Sequence, residues 1–134
     1  MIQSVENKFV DTFIIKPMRE RMKFELSNEK KRWKGIDRLC PATLDIIISK
    51  YVILNERKIT IEDIKKFLSK LIKLPKIVYY MDQDEGDYIS IDKAFEFCEV
   101  SHFPVVIILN EELVYLQTEW EYGGGPQKCI LRKQ

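Results

Sequence analysis

The chain has 134 residues, 46% of them hydrophobic and 32% charged, with a formal net charge of +1. That is enough apolar material for one domain with its own core, residues 1–134, and too much for a disordered chain. No apolar run reaches the roughly 18 residues of a membrane span, the start lacks a signal-peptide pattern, and the widely spaced Cys40, Cys98 and Cys129 suit free thiols, so a soluble cytoplasmic protein is expected.

The small net charge hides an asymmetry. Residues 1–75 carry 17 Lys and Arg against 10 Asp and Glu, whereas residues 76–134 carry 5 against 11. If the two halves occupy different faces, the molecule is dipolar and either face could steer a charged partner. Solubilising lysines on helices and aspartates in loops would give the same counts.

In chain order, residues 5–15 place Val5, Phe9, Thr12 and Phe13 at helical spacing, although Phe13, Ile14 and Ile15 also read as a short strand. Pro17 ends that element and opens a helix lined by Met18, Met22 and Leu26. Ser27 or Asn28 then caps a third helix, running to about Leu39, with Trp33, Ile36, Leu39 and Cys40 on its apolar face. Lys30, Lys31 and Lys34 lie opposite, so Trp33 is expected in the core and the lysines in solvent. Residues 43–54 read as a helix with Leu44, Ile47, Ile48 and Tyr51 inward, but their β-branching leaves a strand open. Thr60 and Asp63 form a capping-box start for a helix over about 61–72. Its apolar stripe is Ile61, Ile64, Phe67, Leu68 and Leu71, with Lys65, Lys66 and Lys70 outside.

Residues 76–81 form a strand in which Tyr79 and Tyr80 point to opposite faces. The stretch from Asp82 through Asp84, Glu85 and Gly86 to Asp87 fails as a calcium loop, because glycine falls one place early and Lys93 stands where the glutamate should be. It reads instead as an acidic turn before a short strand at Tyr88 and Ile89. Ser90 caps a helix with Ile91, Ala94, Phe95 and Cys98 inward, ending near Val100. This strand, helix and strand suggest a right-handed crossover between parallel neighbours. Val105 to Leu109 is a continuous apolar strand, with a turn at Asn110, Glu111 and Glu112 and a return strand over 114–117. A last strand follows the run Gly123, Gly124, Gly125 and Pro126, at 128–131.

The expected fold is therefore α+β, a helical N-terminal half packed on a small mixed or mostly antiparallel four-stranded sheet formed by the C-terminal half. No Walker, Rossmann, HExxH or CxxC pattern occurs, and no cofactor or metal is expected. The acids and aromatics of the C-terminal half have the composition of a protein-docking surface. They comprise Tyr79, Tyr80, Asp82, Asp84, Glu85 and Asp87, then Glu111 and Glu112, then Glu119, Trp120, Glu121 and Tyr122. Such a surface suits a basic protein partner, in the manner of an inhibitor or a toxin-neutralising immunity protein. One alternative is nucleic-acid contact through Lys30, Lys31, Lys34, Lys65 and Lys66, which would need one basic face with an exposed aromatic. Another is an enzyme with a site near His102, the single histidine, four residues from Cys98. A non-catalytic protein is favoured, because an acidic aromatic surface needs no unmarked site.

Overall fold

Six strands form the middle layer of the molecule in the computed structural model, which describes residues 4–40, 44–119 and 125–134. They are β1 (Val52–Glu56), β2 (Ile77–Met81), β3 (Gly86–Ser90), β4 (Val105–Asn110), β5 (Leu113–Gln117) and β6 (Lys128–Arg132). Their order is β1-β6-β5-β4-β2-β3, and every pairing is antiparallel. The strands at the centre are buried on both faces, which is why β4 and β5 are apolar runs instead of alternating ones.

Helices cover both faces. Helices α1 (Val5–Phe13), α2 (Arg19–Ser27) and α3 (Arg32–Asp37) lie on one, where Phe9, Phe13, Met22 and Ile36 cluster with Met81, Val106, Val114 and Leu116. Helices α4 (Ile61–Leu71) and α5 (Ile91–Val100) lie on the other, where Ile64, Leu68 and Phe95 cluster with Val78, Ile107, Tyr115 and Ile130. The two-residue period of a strand does the sorting: in β5, Val114 and Leu116 face the first layer, Leu113 and Tyr115 the second. Side-chain caps start three helices. Ser4 Oγ accepts from Asn7 N at 3.1 Å, Thr60 Oγ1 from Asp63 N at 3.1 Å, and Ser90 Oγ from Lys93 N at 3.2 Å.

Three expectations need correction. The sheet has six strands, not four, and is not confined to the C-terminal half. Its extra members are β1 and a full-length β3. β1 comes from the segment read as a helix. There Leu44 takes a left-handed φ of 54°, a 3-10 turn spans Ser49–Tyr51, and Val52 pairs with Leu131 of β6. Of the β-branched residues of that segment, Val52 and Ile53 go to strand because β6 offers them an edge, while Ile47 makes only an isolated bridge to Ile14.

The crossover between parallel neighbours is also absent. β2 and β4 pair antiparallel, with Tyr80 opposite Ile107. The β2–β3 hairpin reverses the chain before α5 begins, so the strands that α5 joins in parallel are β3 and β4. β2 lies between them.

Trp33 is not in the core. It is 50% exposed, as α3 begins only at Arg32 and is short. Gly35 sets its roll by packing directly on α2, where a Cβ would come within 2.9 Å of Leu26 Cδ2. That approach buries Gly35 and Ile36 and turns Trp33 outward. No helix among the described residues is long and apolar enough to cross a membrane.

Candidate functional site

The turn between β2 and β3 is built by Asp82. Its Oδ1 accepts from Asp84 N at 2.9 Å and Glu85 N at 3.0 Å, and its own amide donates to Glu85 O at 2.9 Å. This Asx-type turn leaves the carboxylates of Asp84 and Glu85 exposed. One residue into the hairpin, Tyr80 faces α5 and meets Phe97 edge-on, with ring centroids 5.4 Å apart. Burial, followed by the charge of Asp82, pushes the Tyr80 phenol well above its ordinary range, so it stays a neutral donor.

Around these residues lies an open groove of about 330 Å³, lined by Tyr80, Asp82, Glu85, Asp87, Ile89, Phe97 and Val100. Phe97 is 40% exposed and Val100 is 73% exposed. Three carboxylates and an apolar wall thus share one concavity. That combination accepts a cationic head on an aliphatic stem, as lysine and arginine provide.

Tyr79 sits on the other face and is committed to structure. Its hydroxyl donates to Glu6 Oε2 at 2.7 Å, and Arg32 grips the same carboxylate in a fork at 2.7 and 2.8 Å. Arg32 Nε also donates to the Asp82 carbonyl at 3.0 Å. Burial, reinforced by the Glu6 hydrogen bond, holds the Tyr79 phenol above its usual range. Next to this network a second groove of about 360 Å³ opens between α1 and the sheet. It is lined mainly by Val5, Phe9, Phe13, Ile77, Tyr79 and Tyr88, and the Lys8–Glu111 pair, 3.0 Å apart, stands at its rim.

The remaining acidic residues are dispersed. Glu111 and Glu112 occupy the β4–β5 turn, at the opposite end of the sheet from the Asp82 turn, because Tyr79 pairs with Ile108 and Met81 with Val106. Glu119 accepts a hydrogen bond from Cys40 Sγ at 2.6 Å. With Asp37 these form a group whose ligand atoms lie within 4.8 Å of one another. Burial and Glu119 push the Cys40 thiol up to about 12, and a protonated thiol opposes metal binding. Trp120, Glu121 and Tyr122 fall outside the described residues.

Comparison of the chain with family models, with curated proteins and with solved structures gives no match. The site is therefore assigned on its own chemistry.

The basic residues do not make one face. Lys30, Lys31 and Lys34 are exposed beside α3, while Lys65 and Lys66 lie on α4, across the sheet. Lys65 is held near Glu62 at 3.6 Å and over the Phe95 ring. The α2–α3 surface carries its own pattern: Lys31 sits 5.5 Å from the Phe24 ring centroid and Lys34 5.8 Å from that of Trp33. Both rings are half exposed.

His102 is exposed and outside the grooves described above, whereas Cys98 is 1% exposed with its thiol raised by burial. A buried, protonated Cys98 is no nucleophile for substrate. Sequence reasoning missed Ile89, Phe97 and Val100 as lining residues. The signal was present: Phe97 and Val100 fall outside the Ile91, Ala94, Phe95 and Cys98 stripe, and apolar residues off the stripe of a surface helix mark exposed apolar area.

Proposed function

We propose that this protein is a small binding module that docks a basic protein partner through an acidic, aromatic-bearing surface, as an inhibitor or a toxin-neutralising immunity protein does. The supporting observation is the groove between the β2–β3 hairpin and α5, where Asp82, Glu85 and Asp87 stand beside exposed Phe97 and Val100. The carboxylates steer a basic partner, and the apolar wall supplies the desolvated contact that holds it. The test is partner capture followed by kinetics with the purified partner. Reversing Glu85 and Asp87 to lysine is expected to slow association by about tenfold or more at low salt. Reversing Glu111 and Glu112, at the far end of the sheet, is expected to have little effect. Equal effects from the two pairs, or no partner retained, would sink the reading.

A second reading is contact with single-stranded nucleic acid through α2 and α3. It is supported by Phe24 and Trp33, each half exposed beneath a lysine, which is how stacking platforms are built. Titration with single-stranded RNA and DNA at low salt tests it. Binding that Trp33→Ala does not weaken would count against it.

A further inference from the structure

We infer that β3 takes an extended segment of the basic partner as an added strand, with basic and apolar side chains of that segment alternating between the two grooves. The inference rests on the docking reading above and specifies its geometry.

Among the described residues β3 is an edge strand that pairs only with β2. Antiparallel pairing makes alternate residues point their amide and carbonyl groups toward the partner strand. Glu85 O accepts from Asp82 N, and Ile91 N donates to Lys76 O, so residues 85, 87, 89 and 91 point inward to β2. Gly86, Tyr88 and Ser90 consequently turn their backbone groups to the open edge. The Tyr88 amide confirms this parity, since it donates to the Asp87 side chain at 2.7 Å and not to β2. Asp87 therefore covers an edge amide that an incoming carbonyl could take, a common way to protect a free edge.

The side chains of this edge alternate in chemistry as well as in direction. Tyr88 faces the α1 side, stacked edge-on against Tyr79 at 5.1 Å, and lines the apolar groove with Ile77. Asp87 and Ile89 face the α5 side and line the acidic groove. An added strand would alternate in step. Its residues on one face would meet Tyr88 and Ile77, both more than half exposed. Those on the other would meet Asp87 and Glu85. The fitting segment alternates apolar with Lys or Arg, and strand addition with alternate side-chain pockets is an established recognition mode. A second copy of β3 does not fit, because residues 82–90 hold four acids and no Lys or Arg, and like charges would face each other.

The test uses two synthetic peptides of about seven residues and identical composition, one alternating lysine with valine and one carrying them in separate blocks. The alternating peptide is expected to bind the full chain at least about tenfold more tightly, and to slow deuterium exchange at the Gly86, Tyr88 and Ser90 amides. Methylating alternate peptide nitrogens should abolish binding in one phase and spare it in the other. Tyr88→Pro removes an outward amide together with the Tyr88 ring, so it is compared with Tyr88→Ala, which removes the ring alone. The proline variant should lose the alternating peptide well beyond the alanine variant while keeping a native circular dichroism spectrum. If the proline variant does not fold, the methylated peptides carry the same decision. Equal binding of the two peptides, lost on reversing Glu85 and Asp87, would overturn strand addition and leave charge-driven docking standing. No binding of either peptide would overturn both, as would assembly of the chain with itself through this edge.

Discussion

Arg32 joins α3 to α1, to α2 and to the hairpin, through the Glu6 carboxylate, the Leu26 carbonyl and the Asp82 carbonyl. The side chains of Arg32 and Glu6 are only 11% and 12% exposed. Removing one partner leaves a buried charge uncompensated, so Arg32→Met should cost about 3–5 kcal/mol in urea unfolding. The paired change Glu6→Gln with Arg32→Met should cost less than Arg32→Met alone. Gly86 makes this network possible, because a Cβ there would collide with Glu6 Oε2 and the Tyr79 hydroxyl. A second pair, Glu25 with Arg38 at 2.6 and 2.8 Å, is pH-sensitive. The Arg38 hydrogen bond, opposed by burial, holds Glu25 below its usual range. The pair's contribution is therefore fully present above the unfolded glutamate pKa and is lost as pH falls through the lower folded value. Unfolding free energy measured against pH should show a smaller acid-side slope in Glu25→Gln than in the wild type. At Cys40, where burial and Glu119 hold the thiol near 12, Glu119→Gln should speed iodoacetamide labelling at mildly alkaline pH. An unchanged rate would mean that burial alone holds the thiol. The Glu25–Arg38, Glu6–Arg32 and Cys40–Glu119 pairings join residues 13 to 79 positions apart, so local periodicity could not show them.

At the scale of elements, helices announced by a cap and a clean stripe were legible. α4 begins after Thr60 and α5 after Ser90, as the sequence pattern anticipates, because both signals are local to the chain. The strand that starts at Val52 was legible only as one of two readings of its segment, since β-branched runs satisfy either state until a partner edge is supplied. α5 is held to the sheet by a buried polar contact. Gln117 Nε2 donates to the Cys98 carbonyl at 2.7 Å, and the Tyr115 hydroxyl donates to Gln117 Oε1 at 2.8 Å. Gln117→Leu strands both groups in the core and should cost about 1–3 kcal/mol per unsatisfied group. Thermal unfolding checks this, and an undiminished midpoint would show that the helix end finds another partner. Ser90→Ala, which removes only the cap, should cost about 1 kcal/mol.

On the scale of the whole molecule, the charge asymmetry does not map onto two faces. The basic N-terminal half supplies α1, α2 and α3 on one side of the sheet and α4 on the other. Acidity concentrates instead at the β2–β3 turn and the adjoining groove, with Glu111 and Glu112 set apart at the far end. A local concentration of this kind acts over about 8–10 Å at physiological salt. Association with a basic partner should therefore slow steeply between low and physiological ionic strength, with a much smaller change in dissociation. Salt-independent association in stopped-flow measurements would remove the electrostatic part of the proposal.

The sequence by itself determined that helices lead into a sheet built on Val105–Leu109, where α4 and α5 start, and that acids cluster after Tyr80. Each of these follows from residues close together along the chain. Tertiary structure alone decided the sixfold strand count, the recruitment of β1 by β6, the outward turn of Trp33 and the joining of Phe97 and Val100 to Asp87. Those features depend on which edge meets which strand and how closely one helix crosses another. Such contacts are settled by packing between distant segments, and no spacing along the chain encodes them directly.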